Sequence, residues 1–222
     1  VVMAGVPSVR AAEPIDIGGR RELLVDRFLI DKFDGQAALK LHHPTPREIA
    51  IQFDQPWEGN ASGYATVIQD GPVTRMYYRG HRYRIDGPRL EQAQAEVVCY
   101  AESSDGGRTF VKPKLCLIEV NGSKENNVVW GHPSHNFAPF KDTRPGVPAD
   151  EQYKALSDGR NKDKKRGLYA YYSADGLRWR RASEEPVMTE GAFDSQNLAF
   201  WDPDSKQYRS YYRFFTGGIH HS

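Results

Sequence analysis

The chain has 222 residues, 39% of them hydrophobic and 12% aromatic, with 30 basic against 29 acidic side chains and a formal net charge of +1. That length is enough to bury a sizeable core. The balanced charge gives no global field for nucleic acid or an anionic membrane surface, and no stretch is long and apolar enough to span a bilayer. Abundant Tyr, Gly and Pro with little helical periodicity predict an all-β fold.

Residues 1–14 read as the remnant of a secretory signal peptide or as a tail. Val1–Val9 is mildly apolar, and Ala11-Ala12-Glu13-Pro14 resembles the small-residue end of an export signal. The expected location is therefore secreted or periplasmic. Residues 15–48 read as a lead-in segment, with Leu23-Leu24-Val25-Asp26-Arg27-Phe28-Leu29-Ile30 expected to pack as a lead-in strand.

From residue 49 to residue 222 a two-part unit recurs. Its first part is a strand, an Asp-bearing turn and a Tyr-bearing strand. The copies begin at Tyr64-Ala65-Thr66, at Asn136-Phe137-Ala138 and at Asn197-Leu198-Ala199, and their turn aspartates are Asp70, Asp142 and Asp202. The second part is a strand closed by Ser-x-Asp-Gly and an aromatic. It occurs as Ser103-Ser104-Asp105-Gly106 before Phe110 and as Ser173-Ala174-Asp175-Gly176 before Trp179, the serines being 70 positions apart. In this turn the Asp accepts backbone N–H groups, Gly supplies backbone angles other residues resist, and the aromatic returns to the core. Asp105 and Asp175 therefore read as structural. Two hairpins per unit make a four-stranded antiparallel blade, and blades at this spacing predict a β-propeller of the five-bladed type, about two and a half blades being visible. Cys99 and Cys116 flank an expected tight hairpin. Two ordinary thiols are the expected reading, with a disulfide open if the chain is exported.

In a propeller, residues just before the first strand of each unit converge at one mouth of the central channel. This selects Asp54, Trp57, Glu58, Asn60 and Tyr64 in the first unit, Trp130, His132, His135 and Asn136 in the second, and Asp194, Ser195, Gln196 and Asn197 in the third. The set is rich in amides, with carboxylates and aromatic platforms, which suits sugar hydroxyls and C–H faces. Glycosidic cleavage uses two carboxyl groups flanking the bond, so Glu58 and Asp194 are the candidate catalytic pair. Trp57, Trp130, His132, His135, Asn136, Gln196 and Asn197 are the candidate substrate-binding residues. Turn capping or pairing with Arg is the competing reading for each acid. His132-Pro133-Ser134-His135 is a weak metal pattern, so neither metal nor cofactor is expected, and the expected partner is a carbohydrate.

Beyond these features, Glu102-Ser103-Ser104-Asp105-Gly106, Asn126-Asn127-Val128-Val129-Trp130, His135-Asn136-Phe137-Ala138-Pro139-Phe140-Lys141-Asp142 and Phe193-Asp194-Ser195-Gln196-Asn197 carry a family resemblance. Over about residues 20 to 215 the chain resembles five-bladed propeller glycosidases of the invertase, levanase and arabinanase type, in an exported bacterial branch. The resemblance implies three axial acids, one per blade. Glu58 falls at the first and Asp194 at the third. The second falls at Asn136, which implies altered chemistry, a substitute such as Asp142, or sugar binding without hydrolysis. A sialidase-like enzyme is a further alternative, suggested by the Asp-box turn and by Tyr83-Arg84-Ile85-Asp86. It needs an arginine cluster, which the selected channel positions lack. A protein-interaction propeller would show an apolar or charged mouth in place of the amides.

Overall fold

The structure, a computed structural model, describes residues 13–131 and 134–215. It divides into two units, Val1–Arg47 and Glu48–Ser222. Most of the export-signal segment lies outside the described residues. So does His132.

In the first unit the described residues, 13–47, hold turns and no strand. The lead-in strand expected at Leu23–Ile30 does not form, and Leu23, Leu24, Val25 and Phe28 are exposed. A local competitor explains this. The Asp26 carboxylate accepts the Phe28 backbone N–H at 2.8 Å, closing an Asx turn where a strand would have to run straight.

The second unit is all-β. Its first sheet runs in sequence order: β1 (Gly63–Asp70), β2 (Val73–Asp86), β3 (Arg89–Ser103) and β4 (Val128–Trp130). The second sheet repeats that plan with β5 (His135–Lys141), β6 (Tyr153–Arg160), β7 (Arg166–Ser173) and β8 (Arg180–Arg181). A two-stranded hairpin, β9 (Leu198–Asp202) and β10 (Gln207–Tyr211), follows. All neighbouring pairs are antiparallel. The sheets do not close a ring among the described residues.

Alternation along the strands splits each sheet into two faces. Tyr77 on β2 and Val98 and Tyr100 on β3 meet Phe137, Tyr153, Tyr169, Tyr171 and Trp179 in one aromatic core between the two sheets. The rings meet edge-on: Tyr77–Tyr100 and Phe137–Trp179 have centroids 5.3 and 5.0 Å apart. Met76, Tyr78, Val97, Cys99 and Ala101 occupy the other face of the first sheet, where Ile51, Trp57 and Phe110 cover them. Gly80 lets that cover approach, since a Cβ there would sit 2.7 Å from the Trp57 carbonyl oxygen.

Both Ser-x-Asp-Gly turns have the expected architecture. Asp105 accepts the Arg108 and Thr109 backbone N–H groups at 2.9 and 3.0 Å and the Thr109 hydroxyl at 2.6 Å. The Ser103 hydroxyl, which donates to it at 2.6 Å, and these bonds hold its carboxyl well below the usual carboxylate range. Asp175 repeats the pattern with Leu177 and Arg178, both at 2.8 Å. The second turn also docks onto the first sheet: Arg75 donates to the Asp175 carbonyl at 2.6 Å and Tyr77 to the Gly176 carbonyl at 3.0 Å.

The cysteines do not flank a tight hairpin. A long connection, 104–127, separates β3 from β4. Cys99 is a buried thiol on β3, Cys116 is an exposed one in the connection, and both are free.

One contact repeats from sheet to sheet. Asp70, at the end of β1, accepts the hydroxyl of Tyr153, the first residue of β6. Asp142, just past β5, accepts the hydroxyl of Tyr208 on β10 at 2.6 Å. In each case the turn acid of one first hairpin receives a tyrosine from the second strand of the next sheet. Correspondingly, β1 lies beside β5 and β5 beside β9.

Candidate functional site

The segments that begin β1, β5 and β9 converge through hydrogen bonds. Gln196 donates to the Thr66 hydroxyl at 2.8 Å, tying the approach to β9 to β1. Asn136, at the second position of β5, is fully buried with φ +52°. Its amide donates to the Asp194 carbonyl at 3.0 Å, and its carbonyl accepts from Arg79 on β2 at 3.4 Å. Tyr64 holds the matching position on β1, with φ +50°. Each lies within an irregularity of its strand pairing, between Gly63 and Thr66 on β1 and between His135 and Ala138 on β5. Left-handed non-glycine residues cost free energy, and pairs of them at sheet ends mark positions where the backbone re-aims side chains.

Around Asn136 sits a cluster of acids and bases. Glu96 on β3 is nearly buried, at 8% side-chain exposure, and accepts His135 Nδ1 at 2.9 Å. His81 Nδ1 is 3.2 Å from the same carboxylate, and Arg79 is 3.5 Å away. Burial pushes Glu96 upward, but the His135 hydrogen bond and the nearby Arg79 and His81 outweigh it and hold the carboxyl below its ordinary value. The hydrogen bond to Glu96 raises His135, whereas burial lowers His81. On the other side, Arg166 grips Asp158 at 2.8 and 3.3 Å, and Arg213 pairs with Asp194. Asp194 is 56% exposed, and the Arg213 hydrogen bond lowers its carboxyl, keeping it an anion.

The assignment at His135 is self-consistent in one tautomer. Nδ1–H donates to Glu96, while Nε2 lies 3.2 Å from the Asn136 amide nitrogen and accepts from it. The two Asn136 amide hydrogens then serve His135 Nε2 and the Asp194 carbonyl.

The structure thus brings together His135, Asn136, Gln196 and Asp194. It places the other candidates elsewhere. Glu58 lies against Tyr78, on the face of the first sheet turned away from the second. It is 0% exposed, accepting Tyr78 Oη at 2.6 Å, the Gln55 N–H at 2.8 Å and Lys112 at 2.8 Å. Strand alternation puts Tyr78 and Arg79 on opposite faces, so Glu58 cannot share a ligand with Asp194. Trp57 lies on Glu58's side and donates to Asn127 at 2.7 Å. Trp130 packs edge-on against Tyr171 beside the aromatic core. Asn197 is buried and closes its own turn through the Phe193 and Ser195 carbonyls. Asp142 does not substitute for a missing acid, because Lys154 and Tyr208 hold it at 2.8 and 2.6 Å.

Sequence reasoning missed Arg79, His81, Glu96, Asp158, Arg166 and Arg213. A signal existed for three of them. Arg79 and His81 continue the alternation of Arg75 and Tyr77, and Glu96 opens the buried run Val97–Ala101. A charge in phase with a buried strand face demands a partner.

A cleft of about 450 Å³ lies elsewhere. It opens between the second sheet and β9–β10, lined by Leu156, Leu168, Ala170, Met188 and Ala199, and holds none of these acid–base groups. Among the described residues no group of three or more His, Cys, Asp or Glu is placed to hold a metal ion, and no helix is long and apolar enough to cross a membrane. No family model, curated protein or solved structure matches the chain.

Proposed function

We propose that Glu48–Ser222 is part of a β-propeller and that the convergence of β1, β5 and β9 is its carbohydrate-binding centre. One observation carries this reading: the bonds Thr66–Gln196, Arg79–Asn136 and Asn136–Asp194 link three successive hairpins at the same end of their first strands. The repeated Asp–Tyr contact supports a common rotation from sheet to sheet, as a propeller requires. The partly exposed ring of Tyr64 offers a face for sugar C–H groups, while His135 and Asp194 offer hydroxyl partners.

Hydrolysis is the second reading, and His135 with Asp194 supports it. Asp194 is an exposed anion, suited to act as a base or nucleophile. His135, whose proton affinity the Glu96 hydrogen bond raises, is the neighbouring candidate acid. The Glu58–Asp194 pair is not part of this proposal.

Calorimetric titration with a panel of oligosaccharides, beside release of phenol from aryl glycosides, tests both readings. Binding that Asp194→Asn weakens, with no turnover, supports a binding propeller. Turnover abolished by Asp194→Asn and His135→Gln supports hydrolysis. No binding and no turnover across the panel would reject the carbohydrate reading.

A further inference from the structure

The first two sheets show what covers a sheet in this fold. Strand β7 and its Ser-x-Asp-Gly turn bring Tyr169, Tyr171 and Trp179 into one core with Tyr77, Val98 and Tyr100 of the first sheet. The carbonyls of that turn accept Arg75 at 2.6 Å and Tyr77 at 3.0 Å. Strand register carries the arrangement forward by one sheet. Thr74 pairs with Ser103 and Tyr153 with Ser173, so Lys154 stands where Arg75 does, Leu156 where Tyr77 does and Ala170 where Tyr100 does. The ion pair of Arg75 with Asp70 is repeated by Lys154 with Asp142.

The β9–β10 hairpin supplies only part of the matching cover. Tyr208 repeats Tyr153 through its bond to a turn aspartate. Among the described residues, however, β10 pairs with β9 alone, and no counterpart of β7 or Trp179 adjoins it. The cleft of about 450 Å³ occupies that position, with Leu156, Leu168 and Ala170 on the second sheet facing Ala199, Tyr208 and Ser210 on the hairpin. Every residue of β10 is exposed, Tyr211 at 59%, so an edge of backbone N–H and C=O groups runs beside an apolar slot. Leu156 and Ala170 stand in for two tyrosines, so large rings are needed to fill the slot to the density of a protein interior.

We infer that β10 and this cleft form a docking surface for a β-strand of the β7 type, closed by a Ser-x-Asp-Gly turn and carrying aromatic side chains. The strand adds to the β10 edge through its backbone, and its alternate rings enter the cleft against Leu156 and Ala170. The aromatic after the turn closes the slot as Trp179 does between the first two sheets. The inference needs only the observed stacking of one sheet on the next, so it stands apart from the carbohydrate reading.

The test adds three synthetic peptides to the full chain. One copies residues 166–181, one carries Tyr169→Ala, Tyr171→Ala and Trp179→Ala together, and one has the same composition in scrambled order. Calorimetric titration reads binding, and hydrogen exchange reads protection of the β10 amides. The copied peptide is expected to bind at least about tenfold tighter than the other two and to slow exchange across 207–211. In the chain, Ser210→Trp fills the cleft from an exposed strand and should weaken binding by a similar factor. The peptide variants decide the question even if that chain fails to fold. Equal binding of the scrambled peptide, binding that leaves β10 unprotected, or no binding at all overturns the inference. Concentration-dependent dimerisation that protects β10 without peptide would make a second copy the occupant and overturn it too. None of these results bears on the sugar titrations.

Discussion

The two faces of the first sheet each bury a glutamate, and the two are treated in opposite ways. Glu58 is sealed under the 49–59 segment, with both oxygens held by a lysine, a tyrosine hydroxyl and a backbone N–H. Tyr78 in turn accepts from Asn127, whose carbonyl takes the Trp57 indole, so the network ends in satisfied groups. Glu96 sits on the facing side among two histidines and an arginine, beside a partly exposed Tyr64 and an exposed Asp194. A closed network of fixed charges holds a structure together. An open one whose partners titrate near neutral pH, with donors still unsaturated, is suited to meet a ligand.

The largest effect expected from this contrast is on the closed face. Glu58→Ala leaves the Tyr78 hydroxyl and the Gln55 N–H without their acceptor and Lys112 with only the exposed Asp54 as counter-ion, which should cost roughly 3–5 kcal/mol in urea unfolding. If Glu58 held a ligand instead, the same substitution would leave stability nearly intact and remove binding, and the contrast between the faces would fail.

A smaller effect is expected on the open face, and it depends on pH. His135 binds its proton more readily in the folded chain, so its contribution is complete below its ordinary 6.5 and is lost as pH rises through the elevated folded value. Glu96, held below its ordinary 4.5, contributes above that value and loses its contribution as pH falls. Buried His81 works against the acid side as well, since its lowered value favours the neutral ring and costs stability as pH falls below 6.5. Between about pH 6 and about pH 8, wild-type stability should therefore fall relative to His135→Gln, by less than about 1 kcal/mol once solvent screening of a ring one-third exposed is allowed for. Parallel pH profiles for the two proteins would remove His135 from the titrating set.

The smallest expected change in stability is at Asp194. Its ion pair with Arg213 is exposed, so Asp194→Asn should shift unfolding by no more than about 0.5 kcal/mol. The same variant should weaken sugar binding in the titrations proposed above. Loss of stability comparable to Glu58→Ala would mean that the open face is structural too.

Much of the architecture was readable from local chemistry. The recurring hairpins, their turn aspartates and the Ser-x-Asp-Gly turns all formed, because each is decided within a dozen residues by alternation, glycine angles and side-chain-to-backbone bonds. Local chemistry also undid one expectation, the strand at Leu23–Ile30, where Asp26 turns the chain instead. The convergence of His135, Asn136, Gln196 and Asp194 followed from the repeat alone, since equivalent positions in equivalent hairpins fall at equivalent ends.

The order along the chain therefore determined the two four-stranded sheets, the following hairpin and the residues that open each of them. Only the tertiary structure decided which buried acid served which face. Glu58 lies five residues before β1 and so looked axial, yet the close approach at Gly80 lays its segment over the outer side of β2. Arg79 and Glu96 were hidden in the middle of long strands and became neighbours of Asn136 only when the second sheet packed against the first. A charge buried by packing has no partner until the packing exists, and no spacing in the sequence records which one it will meet.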